Sequence, residues 1–221
     1  MPKAQPNGEK ESLPSPRPAN SCMDVKIQIA RAQLGTALDL FIRDKDPFSV
    51  HSLACGGSEI IEGLAKEADL PSISTHILQT IPDIDQRKLK RLRNQHWNAL
   101  KHFYEQDGKT VRNDEALMTD FTDEANDAVL FGGWLDYLLV TKRLPVEAQV
   151  FQVWWYAMNP KSMNPDVDPS RWLAMFSKID TQPRQEQKRR LRRAVEKWRN
   201  NKEILRDPRT ELGPLSPSAA R

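Results

Sequence analysis

The amino-acid sequence predicts an all-α fold, a single helical bundle of about five to six helices with a basic C-terminal helix and disordered termini. Three observations predict it. Apolar residues recur mostly at three- and four-residue spacing, the signature of one helical face turned to a core. Only nine glycines punctuate 221 residues, too few for the many turns of a sheet sandwich or barrel. A composition of 38% hydrophobic and 29% charged residues suits one well-filled core with polar tails, in a chain too short for two large domains.

Residues 1–22 carry Pro2, Pro6, Pro14, Pro16 and Pro18 among small and charged residues. Such a segment buries too little apolar surface to offset its chain entropy, which predicts a disordered tail. The bundle is placed at 23–160. Its first helix is expected over Asp24–Arg43, with Asp24 as N-cap and Ile27, Leu34, Leu38, Phe41 and Ile42 inward. Asp46-Pro47 breaks the chain and starts a second helix running to Ala68. Gly56 and Gly57 in its middle cost about 1 kcal/mol each relative to alanine, so they imply close approach of another helix or a kink.

A short segment over Ile73–Gln79 leads through Ile81-Pro82-Asp83 to a third long helix over Asp85–Glu105, closed by an Asp107-Gly108 turn. Further helices are expected over Thr122–Thr141, with Asp123, Glu124 and Asp127 as acidic first-turn residues, and over Pro145–Met158. Phe151, Val153, Trp154, Trp155 and Tyr156 make the latter too aromatic for a wholly exposed surface, so it is expected to seal the core. Residues 161–183 read as a proline-punctuated loop around a short Trp172–Phe176 helix. Residues 184–206 form the basic helix, and 207–221 a second disordered tail.

Charge is unevenly placed. Arg184–Arg206 holds ten Lys or Arg against three Glu, in a chain whose formal net charge is only +3, so the remainder is net acidic. Lys188, Arg189, Arg190, Arg192 and Arg193, near Trp198, are candidates for tracking a nucleic-acid backbone. The structural alternative docks this helix on the acidic body through Leu191, Val195 and Trp198. Cys22 and Cys55 give neither a disulfide framework nor a thiolate metal site, which suits a reducing cytoplasm. No signal-peptide core and no membrane-length apolar run is seen, so the protein is read as soluble. No Gly-rich phosphate loop, nucleophile elbow, dinucleotide fingerprint or paired-His metal motif appears, and no metal or cofactor is expected.

The densest group of reactive side chains is Arg91-Leu92-Arg93-Asn94-Gln95-His96-Trp97-Asn98-Ala99-Leu100-Lys101-His102. Cationic and amide donors hold phosphate oxygens, and an imidazole moves a proton, so this set suits phosphodiester chemistry. On a helix, Leu89, Leu92, His96, Ala99 and Phe103 share one apolar arc. Asn94, Asn98 and Lys101 lie opposite, with Arg91 and His102 close by. His96 therefore reads as a core or an interface histidine, and the Asn94, Asn98, Lys101 and His102 group as a solvated face or a site. His51, in the first turns of its helix, is either packed or beside an anion.

Arg91 and His96, four residues intervening, resemble the active-site motif of the HEPN superfamily of helical nucleotide-binding and ribonuclease domains. The resemblance implies metal-independent RNA cleavage at the interface of a homodimer. Arg91 would stabilise phosphate charge, and His96 or His102 would act as general acid or base. Asn94, Asn98, Lys101 and His51 would hold the substrate, RNA or a nucleotide. Asp46–Ala54, Asn98–His102 and the Trp-rich helix ending at Pro160 also resemble blocks in a group of uncharacterised helical bacterial proteins. That resemblance implies a site or core shared by His51 and His102. A rival class is a non-enzymatic interaction module built on Trp154, Trp155, Tyr156 and the basic helix.

Overall fold

The computed structural model describes residues 21–81, 83–162, 168 and 170–216. Among them the fold is all-α, about 69% helical. Six helices have thirteen residues or more: α1 (Ser21–Ile42), α2 (Pro47–Glu67), α4 (Gln86–Lys101), α6 (Ala125–Thr141), α7 (Val146–Met158) and α9 (Arg184–Trp198). Shorter ones, α3 (Ile73–Thr80), α5 (Glu115–Thr119), α8 (Ser170–Leu173) and α10 (Lys202–Arg206), take the total past the five or six expected. One two-residue parallel pair, β1 (Leu144–Pro145) with β2 (Thr210–Glu211), is the sheet among these residues.

The core starts from an α1–α2 hairpin. Ala30, Leu34, Ala37, Leu38 and Phe41 fall on one side of α1 and are fully buried. Val50, Ala54 and Ile61 do the same on α2, with Leu64 buried beside them. Asp46 caps α2 by accepting the Ser49 N–H at 2.8 Å, and Pro47 occupies its first turn. The glycine pair serves close approach and no break: a Cβ on Gly57 would stand 2.8 Å from Leu34 Cγ of α1. The buried helix α6 packs along α2, and α7 closes the core with Val150, Phe151 and Trp154. Phe41 meets Phe151 and Trp154 edge-on at 5.6 and 5.9 Å. Each such side chain removed from water contributes about 1.5–3 kcal/mol.

Several boundaries differ from expectation, three of them outside the site. Helix α1 already includes Ser21 and Cys22, so Asp24 lies inside its first turn and caps nothing. The basic helix stops at Trp198, and Asn201 caps a separate α10 by accepting the N–H groups of Glu203 and Ile204 at 3.0 Å. Residues 207–216 belong to the body and not to a tail. Leu215 is buried, Arg31 Nη1 donates to its carbonyl at 2.7 Å, and Glu211 joins Arg31 (2.6 Å) to the Tyr137 hydroxyl (2.9 Å). Residues 1–20 and 217–221, the remaining tail assignments, lie outside the described residues.

Helices α3 and α4 form an outer layer, and neither contains a buried residue. Among the described residues no helix is long and apolar enough to cross a membrane.

Candidate functional site

Helix α4 begins where Asp85 accepts the Lys88 N–H at 2.7 Å and ends at Lys101, four residues short of expectation. His102 is extended there (φ −122°, ψ 124°), its N–H still reaching the Asn98 carbonyl at 3.1 Å. At 100° per residue, Arg87, Lys90, Arg91, Asn94, Asn98 and Lys101 fall within an arc of about 100°. Arg87, Lys90, Arg91 and Lys101 are exposed, the two asparagines half-buried. Lys101 Nζ stands 3.4 Å from the centroid of the Trp97 ring, a cation–π contact that steadies it. No acidic residue occurs in α4, so nothing on the helix itself neutralises the stripe.

The opposite side of α4 faces α2. Arg93, not Arg91, is the arginine held there, ion-paired to Glu62 and donating to Ser74 Oγ at 3.0 Å. One turn on, His96 meets His51 of α2 with ring centroids 5.8 Å apart, and both rings pack on Phe121 at 5.1 and 5.3 Å. The expected apolar arc is only partly realised. Leu92 is 47% exposed, and Phe103 lies beyond the helix end at 68%.

His51 is 2% exposed. Asn126 Nδ2 donates to the Pro47 carbonyl at 3.2 Å, which turns its Oδ1 toward His51 Nδ1 at 2.9 Å. Nδ1 therefore carries the ring proton, and Nε2 is a buried acceptor with no partner among the described residues. Burial holds the His51 imidazole below its ordinary range, helped by nearby His96 and opposed by Asn126. Burial alone lowers His96. Both rings are neutral at neutral pH.

The pairing of His51 is thus with His96 and not with His102. His102 is exposed at the mouth of a small antiparallel turn, bridged at Tyr104 and Val111 and closed at Gly108 (φ 68°). Phe103, Tyr104 and Val111 of this turn are exposed. His51 does not open onto His102, Asn98 and Lys101: it is 2% exposed, its ring packed on Phe121 and His96. Arg91 and His96 project from α4 about 140° apart, one outward and one toward α2.

The second candidate surface, the basic helix, is largely committed to the body. Lys188 is 2% exposed, with Nζ 2.9 Å from both Asp44 and Asp123 and 4.3 Å from the Phe41 ring centroid, so it has no free charge to offer. Arg192 Nε donates to the Ile42 carbonyl at 3.1 Å. Arg189 and Arg190 pair with Glu186, and Arg199 with Glu147. Arg184 bridges Asp123 and Asp127 at 2.7 and 2.6 Å. Asp123 and Glu124 precede α6, and Asp123 is an anchor for α9 in place of the helix-end role expected of it. Burial pushes the Asp127 carboxyl up to about 6, against the pull of Arg184. Of the five α9 candidates only Arg193 is exposed and outside any ion pair among the described residues.

A groove of about 1180 Å³ opens on the other side of α4, beneath α3 and against α6 and α7. Trp154 is fully buried in the core. Trp155 and Tyr156 instead line the groove, Trp155 stacking on Phe131 at 3.7 Å. Glu62, Arg93 and Asp136 supply its charged groups, with Lys161.

Sequence reasoning passed over Arg87, Lys88 and Lys90, although Arg87–Arg93 holds five cations and no acid. It also missed Glu62 and Asp136, which only the packing brings together. Cys55 is buried, and its thiol is pushed up to about 12 by burial, leaving it no nucleophilic thiolate. Among the described residues no three His, Cys, Asp or Glu gather into a metal-holding group. Compared with protein-family models, curated proteins and solved structures, the chain matches none.

Proposed function

We propose that this chain binds nucleic acid, RNA above all, through the outward face of α4. The observation that carries the reading is the exposed stripe of Arg87, Lys90, Arg91 and Lys101, interleaved with Asn94 and Asn98, on a helix that has no acidic residue. Lys and Arg neutralise phosphates, while the amides supply hydrogen bonds along the same line. The exposed Phe103 and Tyr104 beyond the helix end offer faces on which unpaired bases stack, which favours single strands. Binding of this kind is sequence-tolerant and weakens steeply with salt. Four phosphate contacts to a single strand give a slope of about −3 in log K against log salt. Fluorescence anisotropy with a labelled oligo-RNA between low and moderate salt tests it, and absence of binding at low salt would remove the reading.

Metal-independent cleavage is the second reading, and the neutral His96 ring favours it. An imidazole held neutral at neutral pH is ready to accept a proton. Because Arg91 and His96 point apart, cleavage would combine them from two facing copies, as the HEPN-like spacing implies. The assay is cleavage of a mixed RNA pool in EDTA by wild type, His96→Ala and His102→Ala, each shown to be equally folded. Cleavage lost in one variant identifies its histidine, and none by wild type eliminates the enzyme.

A further inference from the structure

The contact between α2 and α4 is built from groups that titrate. Helix α4 contains no buried residue, and a free helix of its sixteen residues is marginal in water, so its order rests on what it touches. Its inner side meets α2 at Arg93, ion-paired to Glu62, and one turn on at His96, whose ring stands against His51.

The second of these contacts has no place for an added proton. Nδ1 of the buried His51 already donates to Asn126 Oδ1, so a further proton must go on Nε2, which is buried without a partner among the described residues. The imidazolium so formed would be a buried cation with an unbonded N–H, beside the rings of His96 and Phe121 at 5.8 and 5.3 Å. Protonating His96 as well would set two like charges against each other. No carboxylate on the facing elements relieves this. On α2, Asp46 is bonded to the Ser49 N–H, Glu62 to Arg93, and Glu59 is exposed. Glu115 of α5 and Asp120 after it are exposed, and Asp123 and Asp127 are paired with Arg184. Helix α4 has no acid, and its Arg93 and Lys101 already bring positive charge to Cys55, one turn along α2 from His51. Burial accordingly holds both rings below the ordinary 6.5.

We infer that the α2–α4 contact is an acid-operated latch: protonation of the His51–His96 pair releases the C-terminal half of α4, residues 95–101, while Arg93 keeps the first half on Glu62. The released helix accepts protons that the docked one refuses. Between pH 6.5 and the lower docked values, each proton taken up on release therefore raises the open fraction about tenfold per pH unit. The latch acts on the helix that carries the basic stripe, yet it is read on α4 alone and stands whether or not the chain binds RNA.

Amide hydrogen exchange of the full chain at pH 7.5 and pH 5.5 tests this, expressed as protection factors so that the intrinsic pH dependence of exchange drops out. In the wild type, protection over residues 95–101 should fall about tenfold or more at the lower pH, while the amides of α1 and α6 keep theirs. His96→Phe keeps a ring against Phe121 and removes one titrating group, so its loss should be smaller. His51→Asn preserves, through Nδ2, a donor for Asn126, and in the double variant the loss over residues 95–101 should vanish. Equal protection of α4 at the two pH values, a loss shared equally by α1 and α6, or the full loss retained in the double variant would each overturn the latch. If the double variant fails to fold, His96→Phe decides, and a loss equal to that of the wild type overturns it.

Discussion

The two basic helices, α9 and α4, carry similar charge and hold it differently. Lys188, Arg184 and Arg192 of α9, and Arg199 just beyond its end, each find a partner outside the helix, and five α9 residues are buried. Its cations are clamps that fix the helix across α1, α6 and α7. Helix α4 buries no residue, and of its cations Arg93 alone is ion-paired to another element among the described residues. A run of lysines and arginines is therefore neither an interface nor a solvated face until its neighbours are known. Asp44, Asp123 and Asp127 turn the more conspicuous run into a structural one, whereas the plainer run on α4 has no acidic residue on its own helix.

The contrast breaks most visibly at Lys188. Lys188→Ala removes a buried ammonium and leaves Asp123 facing the core edge. Loss of one partner from a fully buried pair costs about 3–5 kcal/mol, and the half-exposed Asp44 reduces this to about 2–3 kcal/mol. Urea unfolding should show that loss while RNA affinity stays unchanged. Reversal of the α4 stripe, Arg87→Glu, Lys90→Glu, Arg91→Glu and Lys101→Glu together, should do the opposite. RNA affinity at low salt drops by about a hundredfold, and stability moves by about 0.5 kcal/mol or less per site. A stripe variant that unfolds, or a Lys188 variant that loses RNA, would show the two helices to be alike.

How much of this was legible in the sequence depends on how local the deciding interaction is. The α1 and α2 stripes, the Asp46-Pro47 start and the glycine approach at Gly57 rest on spacing and short-range geometry, and they read directly. The end of α4 does not, because what stops it is an extended His102 entering a turn closed by a Tyr104–Val111 bridge. The break after Trp198 had a local signal in Asn200-Asn201, outweighed by the continuous charge. The ordering of residues 207–216 had none, since Arg31, Tyr137 and Glu211 are far apart in the chain. Of the candidate site, the polar face of α4 followed from periodicity, and its apolar arc only in part, since Leu92 and Phe103 are exposed. The partner of His51 did not, and the meeting of Glu62, Arg93 and Asp136 from three helices leaves no trace in any one of them.

A smaller effect separates the inner faces of the two helices. His51 and His96 have lowered folded-state values, so between those values and the ordinary 6.5 the unfolded chain binds more protons. Their contribution is present above pH 6.5 and is lost as pH falls through the folded values. Asp136, raised to about 6 by burial, works the other way, its contribution being present below the ordinary 3.8 and lost as pH rises through 6. His96→Phe keeps the ring against Phe121 and removes one imidazole. Its stability should fall less than wild type between pH 7 and 5. Asp136→Asn should steepen the wild-type fall. Unfolding curves across that range measure both, and identical slopes in all three proteins would mean that the α2–α4 contact does not sense protons.

The smallest expected effect is the sharpest control. Arg193 is the α9 candidate whose charge is exposed and outside any ion pair among the described residues, so by charge alone it equals Arg91. Its neighbours on the helix differ. Arg189, Arg190 and Arg192 are each bonded to Glu186 or to the Ile42 carbonyl, and Glu196 follows Arg193 by three residues. With its neighbours held by Glu186 and the Ile42 carbonyl, Arg193 takes at most one phosphate, whereas Arg91 acts with three others in line. Arg193→Glu should therefore change RNA affinity and stability by about 0.5 kcal/mol or less, and leave the salt slope where it was. Arg91→Glu should reduce that slope by about 0.7. Equal losses for the two substitutions would assign RNA attraction to the net charge of the chain, and the special standing of α4 would fall with it.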